Sequence, residues 1–202
     1  MTVFEDGTVE LLISKRDLEQ RIAELGREIA RDLSGDQLPV LISVLKGSAL
    51  FLADLVRALR IELEVDFMSI SSYAAGTAGS GVVRILKDLE SDVTSRDVLI
   101  VEDIVDTGLT LNYLRRNLSH REVGSLKAVT LLDKAVRRIV PVELEYIGFE
   151  IPDVFVVGYG LDFQGIYRNV PEILAVRDIA RLANDPNILV EALFGSDGVT
   201  PH

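Results

Sequence analysis

The chain has 202 residues, of which 48% are hydrophobic and 26% are charged, a composition typical of a globular domain with a full hydrophobic core. The formal net charge of −11 argues against broad nucleic-acid binding, which requires a basic surface. The absence of cysteine excludes disulfides, thiolate catalysis and thiolate metal sites. No apolar run approaches the ~20 residues of a membrane-spanning helix, and no signal-peptide pattern is visible, so we expect a cytoplasmic protein.

Apolar residues at helical spacing predict a long first helix. Ser14 and Asp17 resemble a capping box, and Gly35 is the predicted end of the helix. The apolar positions between them are Leu18, Ile22, Leu25, Ile29 and Leu33.

The rest of the chain alternates between predicted strands and helices up to residue 157. In chain order these are a strand at 39–45, a helix at 48–59, strands at 62–70 and 97–101, a helix at 109–118, and strands at 126–132, 143–148 and 154–157. Residues 71–81 are small and rich in glycine and alanine, which predicts a mobile loop. Residues 171–183 are predicted to form a loosely packed region.

This alternation predicts a single α/β domain with a mainly parallel sheet. Ligands of such sheets bind beyond the carboxyl ends of the strands, where loops lead into helices. The predicted strands end at Leu45, Val101, Leu132 and Val157, and we expect the functional residues directly after these positions.

The stretch VLIVEDIVDTGLTL, residues 98–111, joins an apolar strand to a polar turn that opens a helix. A helix N-terminus presents unpaired N–H groups and a partial positive charge. Gly108 permits close approach of the backbone, and the hydroxyls of Thr107 and Thr110 add two donors. This combination suits a terminal phosphate.

Three carboxylates accompany this turn. Glu102 and Asp103 follow the apolar residues directly, and such a pair can position a diol or hold magnesium. In a simpler interpretation, Asp106 and Thr107 only cap the helix while the other two carboxylates are solvated. The presence of all these residues at the end of one apolar strand favours ligand binding.

The same stretch resembles the phosphoribosyl-diphosphate signature of type I phosphoribosyltransferases, and among these it most resembles the hypoxanthine-guanine enzymes. The resemblance covers roughly residues 10–175. It implies a mainly parallel twisted sheet flanked by helices, with a core at 37–142 and a small hood over the active site formed by 1–36 and 143–180. Residues 185–202 form a tail that matches nothing in the family.

The resemblance also implies an activity, the transfer of a phosphoribosyl group from phosphoribosyl diphosphate to hypoxanthine and guanine. The cofactor would be Mg²⁺ and the products IMP or GMP and diphosphate. Glu102 and Asp103 would face the ribose hydroxyls and the metal, and Asp106 would accept the purine proton. The implied substrate contacts in this stretch are Glu102, Asp103, Ile104, Val105, Asp106, Thr107, Gly108, Leu109 and Thr110. The family pattern implies a homodimer or homotetramer, with neither nucleic acid nor membrane as a partner.

Two earlier loops carry further implied contacts. Lys46 and Gly47 end a strand, where a routine turn is the alternative interpretation. The resemblance makes this turn the diphosphate loop, with an unusual peptide at Leu45–Lys46 whose geometry the sequence leaves open. Ser72 and Tyr73 open the glycine-rich stretch, which by composition is only a surface loop. The resemblance makes it a lid in which both residues contact diphosphate.

Later positions match the family one by one. Lys134 would donate to the 6-oxo group of the purine, although a lysine at a strand end is usually only solvated. The sequence alone favours a core position for Phe155, whereas the resemblance implies that its ring stacks on the purine and that the backbone of Val156 reads the base edge. Asp162 would be a second magnesium-linked carboxylate and Arg168 a diphosphate ligand. Solvated surface charges are the alternative interpretation of both.

The chain departs from the family pattern at Leu109 and Val154, where some relatives carry lysine, so substrate affinities do not transfer. Two other functions stay open. A regulatory RNA-binding protein of the same fold would require a basic face, which the net charge disfavours. A non-catalytic nucleotide-binding module would use Asp106 only as a helix cap.

Overall fold

The computed structural model describes residues 7–33, 37–73 and 82–195. The predicted helix end at Gly35 and residues 74–81 of the predicted lid lie outside this range. In chain order the elements are β1 (Val9–Ile13), α1 (Lys15–Asp32), β2 (Val40–Leu45), α2 (Ala49–Leu59), β3 (Glu64–Tyr73), β4 (Val82–Lys87), β5 (Asp97–Val105), α3 (Leu109–Ser119), β6 (Ser125–Asp133), a 3-10 turn (Ala135–Arg137), β7 (Tyr146–Glu150), β8 (Phe155–Val157), β9 (Ile173–Val176), α4 (Ile179–Asn184) and α5 (Val190–Phe194).

The chain divides into two compact units, Gln20–Asp153 and a second formed by Met1–Glu19 with Val154–His202. The larger unit contains a six-stranded sheet in the order β4-β3-β2-β5-β6-β7. Its neighbouring strands are parallel except for β3 and β4, which are antiparallel. Helix α2 contacts β2 and β5, and α3 contacts β6. The predicted class, an α/β fold with a mainly parallel sheet flanked by helices, is confirmed.

The register of the central strands brings their carboxyl ends to one edge of the sheet. Val40 at the start of β2 pairs with Val98 of β5, which in turn pairs with Leu126 of β6. The three strands are near-continuous apolar runs because each strand lies inside the sheet and is covered on both faces. The loops after β2, β5 and β6 therefore leave the sheet side by side.

Helix α1 forms as its sequence pattern predicts. The backbone N–H of Asp17 donates to the Ser14 hydroxyl at 3.2 Å, and that hydroxyl donates to the Asp17 carboxylate at 2.6 Å. The predicted apolar face is buried along its whole length, namely at Leu18, Ile22, Leu25, Ile29 and Leu33. Gly26 allows α1 to approach α2 closely, because a Cβ at this position would lie 2.7 Å from the Cβ of Ala58.

Strand β7 lies at one edge of the six-stranded sheet, and a side chain of α1 covers part of it. The Arg21 guanidinium donates to the carbonyl oxygens of Ile147 at 2.8 Å and Gly148 at 3.1 Å. Glu24 and Glu28 hold the same guanidinium at 3.2 and 3.1 Å. Two carbonyl groups of this strand therefore have a partner within the chain.

The smaller unit contains an antiparallel sheet in the order β1-β9-β8. Its central strand, β9, is buried at every position, so the prediction of loose packing at residues 171–183 was wrong for this strand, whereas residues 177–181 are exposed. The pattern misled because β9 is only four residues long and pairs with strands distant in sequence. Strands β1 and β4 were also missed by the sequence analysis.

Strand β5 continues to Val105, so the predicted strand end at Val101 was wrong. Glu102 pairs with Thr130 and Val105 with Asp133 in the ladder between β5 and β6. Charged side chains suggested a strand end, yet the backbone of Glu102 keeps its place in the sheet. Glu102 and Asp103 therefore belong to a strand rather than to a loop. The hydrogen bonds of the sheet hold their backbones more rigidly than a loop would.

A buried carboxylate holds the segment that follows β4. Asp66 of β3 accepts hydrogen bonds from the backbone N–H groups of Phe67, Glu90 and Ser91 at 2.7–2.9 Å. Burial opposes ionisation of Asp66, but the bonds from Ser91, Phe67 and Glu90 outweigh it and lower the pKa of this carboxyl. The ionised side chain thus ties the segment at 90–91 to the sheet.

We expect Asp66→Asn to lower the free energy of unfolding by about 2 kcal/mol, because its amide cannot accept all three bonds. Since the folded-state pKa is lowered, this contribution is complete above the unfolded pKa of about 3.9 and disappears as the pH falls through the folded-state value. Urea unfolding at neutral and acidic pH measures both effects. Glu90→Gln, which alters an exposed carboxylate of the same segment, is the control and should change little. Equal stability of wild type and Asp66→Asn at neutral pH would contradict the assignment.

Within the ranges that the structure describes, none of the helices is both long enough and apolar enough to cross a membrane.

Candidate active site

The turn after β2 contains a cis peptide bond, a glycine and a buried serine hydroxyl. The peptide bond between Leu45 and Lys46 is cis. Lys46 is exposed at the turn, whereas Gly47 and Ser48 are buried. The Ser48 hydroxyl lies 2.7 Å from that of Ser43 and donates to a carbonyl of β2. This role of Ser48 was not predicted from the sequence, because a serine after a Lys-Gly pair is a weak signal.

Gly47 touches the acidic strand β5. A Cβ at Gly47 would lie 1.6 Å from Oδ2 of Asp103, a distance that no side chain can occupy. The other oxygen, Oδ1, accepts a hydrogen bond from the backbone N–H of Ile104 at 3.0 Å. The absence of a side chain at Gly47 therefore lets the predicted diphosphate turn lie directly against the Asp103 carboxylate.

Glu102 is a buried carboxyl group, with 5% of its surface exposed. Its Oε1 is buried and has no hydrogen-bond partner among the described residues. Burial raises the pKa of Glu102 well above its usual range, and the neighbouring Asp103 carboxylate raises it further. A buried carboxyl without a partner is energetically unfavourable, and a cation would satisfy it.

The acidic pair fits a magnesium ion bound mainly by its substrate. No group of three or more acidic or histidine side chains that could hold a metal occurs in the described part of the chain. Magnesium sites for phosphorylated substrates generally use one or two carboxylates, with phosphates and water as the other ligands. Glu102, with its unpartnered oxygen, and Asp103 supply that number.

The turn after β5 has two features of a phosphate-binding turn, a glycine with positive φ and a helix N-terminus that follows it. Gly108 has φ 83°, which glycine adopts without strain, and stands at the N-terminus of α3. A Cβ here would also lie 2.8 Å from the carbonyl oxygen of Val140. The backbone N–H of Leu109 points at the Thr107 hydroxyl at 3.4 Å. Leu109 itself is exposed, and Thr110 follows in the first turn of the helix.

Asp106 does not act as the cap of α3 in this structure. No backbone N–H of the described residues donates to its carboxylate, and its Oδ1 is buried without a hydrogen-bond partner. The nearest cation is Arg137, whose Nε lies 3.4 Å from Oδ1. The carboxylate thus accepts no hydrogen bond from the described residues, and its side chain is 40% exposed, so a ligand can reach it. The two residues before it, Ile104 and Val105, belong to β5, and Val105 is buried.

Lys134 follows β6 and lies beside the end of β5. Its backbone N–H donates to the carbonyl oxygen of Val105 at 3.0 Å, and the residue is only 7% exposed. Because Val105 and Asp133 are paired, Lys134 lies one residue beyond the end of the ladder, as does Asp106. The alternative of a solvated lysine does not fit the observed burial.

Two arginines that follow Lys134 also lie at this site and were not predicted from the sequence. Arg138 pairs with Asp133 and packs beside Gly108, while Arg137 reaches Asp106. The run DKAVRR, residues 133–138, was the available signal. The larger unit therefore brings together the turns after β2, β5 and β6, with the residues predicted for ribose, phosphate and proton transfer.

Ser72 and Tyr73 form the end of β3, where their backbones pair with Val83 and Val82 of β4. The lid assigned to this region continues into residues 74–81, outside the described range, and stays a prediction.

The predicted base-stacking residue lies in the smaller unit. Phe155 is half-buried on β8 and meets Phe163 edge to face, with ring centroids 5.9 Å apart and planes at 88°. Val156, the next residue, is buried and pairs with Ala175 of β9. Phe155 therefore takes part in the apolar cluster of this unit while a fraction of its surface remains exposed. Both interpretations of the ring, stacking and packing, are compatible with this position.

Asp162 and Arg168 form an ion pair within the same unit. Arg168 Nη2 lies 2.6 Å from Oδ1 of Asp162, and its Nη1 donates to the carbonyl oxygen of Gly160 at 2.6 Å. The other carboxylate oxygen of Asp162 accepts the backbone N–H of Gly165 at 2.8 Å. Neither side chain is merely solvated, and their roles toward metal and diphosphate stay predictions.

Comparison with known proteins identifies relatives over most of the chain. Residues 12–164 match the family described as phosphoribosyl transferase domain. The chain is 49% identical over 164 residues to the bifunctional protein TilS/HprT of Listeria innocua, which covers 81% of this chain and 25% of that protein. It is 47% identical over 164 residues to the hypoxanthine-guanine phosphoribosyltransferase of Bacillus subtilis. This alignment covers 81% of this chain and 91% of that protein.

A solved structure agrees with the sequence relatives. The hypoxanthine phosphoribosyltransferase of Staphylococcus aureus matches with a TM-score of 0.82 and 43% identity, over 89% of this chain and 97% of that one. The chain spans about a quarter of the length of the bifunctional relatives but most of the length of the single enzymes. The family predicted from the sequence is confirmed, and the chain belongs to the phosphoribosyl transferase domain family.

Proposed function

We propose that the chain transfers the 5-phosphoribosyl group of phosphoribosyl diphosphate to hypoxanthine or guanine, releasing diphosphate and giving IMP or GMP. One observation carries the proposal. A single edge of the parallel sheet brings together the glycine turn at the start of α3, the acidic pair of β5, and the unpartnered oxygen of Asp106. The relatives named hypoxanthine-guanine phosphoribosyltransferase support it.

The reaction replaces the bond between the ribose C1′ and a diphosphate oxygen with a bond from C1′ to a purine nitrogen. Positive charge develops on the sugar as diphosphate leaves, so positioning and charge stabilisation supply most of the rate. The turn at Gly108 holds the 5′-phosphate through backbone N–H groups, and Thr107 and Thr110 add hydroxyls. Lys46 and the amides of its turn stabilise the departing diphosphate.

Asp106 accepts the proton that the purine must lose. Its Oδ1 accepts no hydrogen bond from the described residues, and Arg137 lies nearby as a cation. Bond formation at one imidazole nitrogen makes the N–H of the other more acidic, and a carboxylate within reach of that proton is a suitable general base.

Glu102 and Asp103 would hold a magnesium ion together with the ribose hydroxyls of the substrate. When bound, the ion offsets the negative charge that builds on diphosphate. From the family resemblance, we propose Asp162 as a second magnesium-linked carboxylate and Arg168 as a diphosphate ligand. Phe155 would stack on the base, and the backbone of Val156 would read its edge.

Lys134 explains the preference for 6-oxopurines. An ammonium group donates hydrogen bonds and accepts none, so it suits a carbonyl oxygen at the 6-position. Adenine presents an amino group there, and an unpaired buried donor costs ~1–3 kcal/mol. As parts of the same proposal, we place the protein in the cytoplasm as a homodimer or homotetramer.

A purine conversion assay tests the function. Purified chain with phosphoribosyl diphosphate and magnesium should convert hypoxanthine and guanine to nucleotides, while adenine should be used at least about tenfold less efficiently. Omission of magnesium or addition of a chelator should abolish conversion. Xanthine has the same 6-oxo group as hypoxanthine and guanine but carries an oxygen at the 2-position. Its rate of conversion therefore shows whether the site discriminates between purines at the 2-position. Absence of conversion with every purine would reject the enzyme in favour of a non-catalytic nucleotide-binding protein.

A further inference from the structure

We propose that Arg137 is a positioning residue for the proton acceptor Asp106. The inference rests on the proposed function and adds a residue to it. Arg137 lies between two carboxylates, with its Nε 3.4 Å from Oδ1 of Asp106 and its Nη1 3.6 Å from Oδ2 of Asp153. One guanidinium therefore links the proposed general base to a second acidic side chain.

Backbone hydrogen bonds attach the turn that carries Arg137 to the residues on both sides of Asp106. The N–H of Lys134 donates to the carbonyl oxygen of Val105 at 3.0 Å. The N–H groups of Ile139 and Val140 donate to the carbonyl oxygen of Thr107 at 2.9 and 3.2 Å. These bonds attach the turn to the residues immediately before and after Asp106. The backbone of Arg137 is therefore held beside Asp106 by the fold, within reach of the ion pair that the two side chains form.

The type of contact suits an acceptor that must stay available. Arg137 Nε is close enough for an ion pair, yet it makes no hydrogen bond to Oδ1, which is buried without a hydrogen-bond partner. The attraction of the cation restrains the carboxylate without using its lone pair. Asp153 attracts the same guanidinium and competes with Asp106 for its donors. The carboxylate is thus held in place, while its side chain is 40% exposed and accepts no hydrogen bond that a purine N–H would have to displace.

The neighbouring arginine has a different position. Arg138 pairs with the buried Asp133, and its side chain packs beside Gly108. Its side chain is 18% exposed, against 51% for Arg137. Arg138 is therefore a structural part of the phosphate turn. Arg137, half-exposed and directed at Asp106, contributes little to packing, so its substitution should leave the fold intact.

Loss of Arg137 should affect turnover rather than substrate binding. We expect Arg137→Ala to lower kcat about tenfold, because an unrestrained general base reaches the proton less often. The KM for phosphoribosyl diphosphate should change little, since the turns that bind phosphate are untouched. Arg137→Lys keeps the charge and should restore part of the rate. Asp153→Asn, which alters Arg137 without touching Asp106, should lower kcat by a smaller factor.

Double mutants make the test decisive. If Arg137 acts through Asp106, Arg137→Ala should cause no further loss in an Asp106→Asn background, and Asp153→Asn none in an Arg137→Ala background. Arg57→Ala, which removes an exposed arginine paired with Asp54 on α2, is the matched control and should keep wild-type kcat. Thermal unfolding checks that each variant is folded.

Full additivity of Arg137→Ala with Asp106→Asn, or wild-type kcat in Arg137→Ala, would overturn the proposal. The proposal would also be overturned if Arg137→Ala lost its rate because the protein is partly unfolded, as shown by a lowered melting temperature, and if Arg137→Lys did not recover any of that rate. Failure of the proposed function itself has a different signature, because the wild-type chain would then convert no purine at all.

Discussion

Replacing Asp106 with asparagine is expected to lower turnover by about 10²-fold or more while leaving the fold intact. Asparagine nearly keeps the shape of the side chain but cannot take up the purine proton. Stability should barely change, because the carboxylate accepts no hydrogen bond from the described residues and does not cap α3. Binding of phosphoribosyl diphosphate should be retained or slightly tighter, since a negative charge near its phosphate is removed.

Steady-state kinetics and substrate titration separate these effects in one set of measurements. Asp88→Asn is the matched control, because it alters another aspartate paired with an arginine, Arg121, outside the candidate site. A folded Asp106→Asn protein that turns over at close to the wild-type rate would remove Asp106 from the mechanism.

The second large effect is expected from a single methyl group at the turn after β2. In Gly47→Ala the new Cβ would occupy a point 1.6 Å from Oδ2 of Asp103, so the carboxylate must move. Displacement of a substrate-positioning group by about 1 Å can cost 10²-fold in rate. We therefore expect kcat/KM for phosphoribosyl diphosphate to fall by about 10²-fold, with a smaller change in the KM for purine.

The Asp103→Ala variant tests the cause of that effect. It should itself weaken the use of phosphoribosyl diphosphate more than that of purine. Once the carboxylate is absent, the added methyl group at Gly47 has no oxygen to displace, so the double mutant should be little worse than Asp103→Ala. Multiplicative losses would mean that the methyl group acts elsewhere, for instance on the buried Ser48. Unchanged magnesium dependence in Asp103→Ala would count against a role in holding the metal.

The sequence predicted those parts of the fold whose signals are local. Helix α1 follows from a capping pair and an apolar face, and every predicted apolar position is buried. The strands β2, β5 and β6 follow from apolar runs that alternate with helices. Strand β9 was misjudged because its burial depends on β1, which lies more than 150 residues away in the chain. Periodicity within a short window contains no information about such a partner.

The same distinction between local and long-range signals applies to the candidate site. Residue type and order were sufficient to single out Glu102, Asp103 and Asp106 together with Gly108. The burial of Glu102 was not foreseeable, because a carboxylate usually marks the end of a strand. The contact between Gly47 and Asp103 arises only when two strands far apart in sequence become neighbours. Arg137 was missed because two adjacent arginines in a turn are usually only solvated.

The covering of β7 by Arg21 restricts how copies of the chain can join. An uncovered edge strand offers a row of carbonyl and N–H groups to which the edge strand of another molecule can add. Here the carbonyl groups of Ile147 and Gly148 already bind the Arg21 guanidinium, which Glu24 and Glu28 hold in place. An intruding strand would have to displace a charged group from two hydrogen bonds and two ion pairs. A dimer or tetramer should therefore not form by strand addition at β7, and this edge should resist open-ended polymerisation.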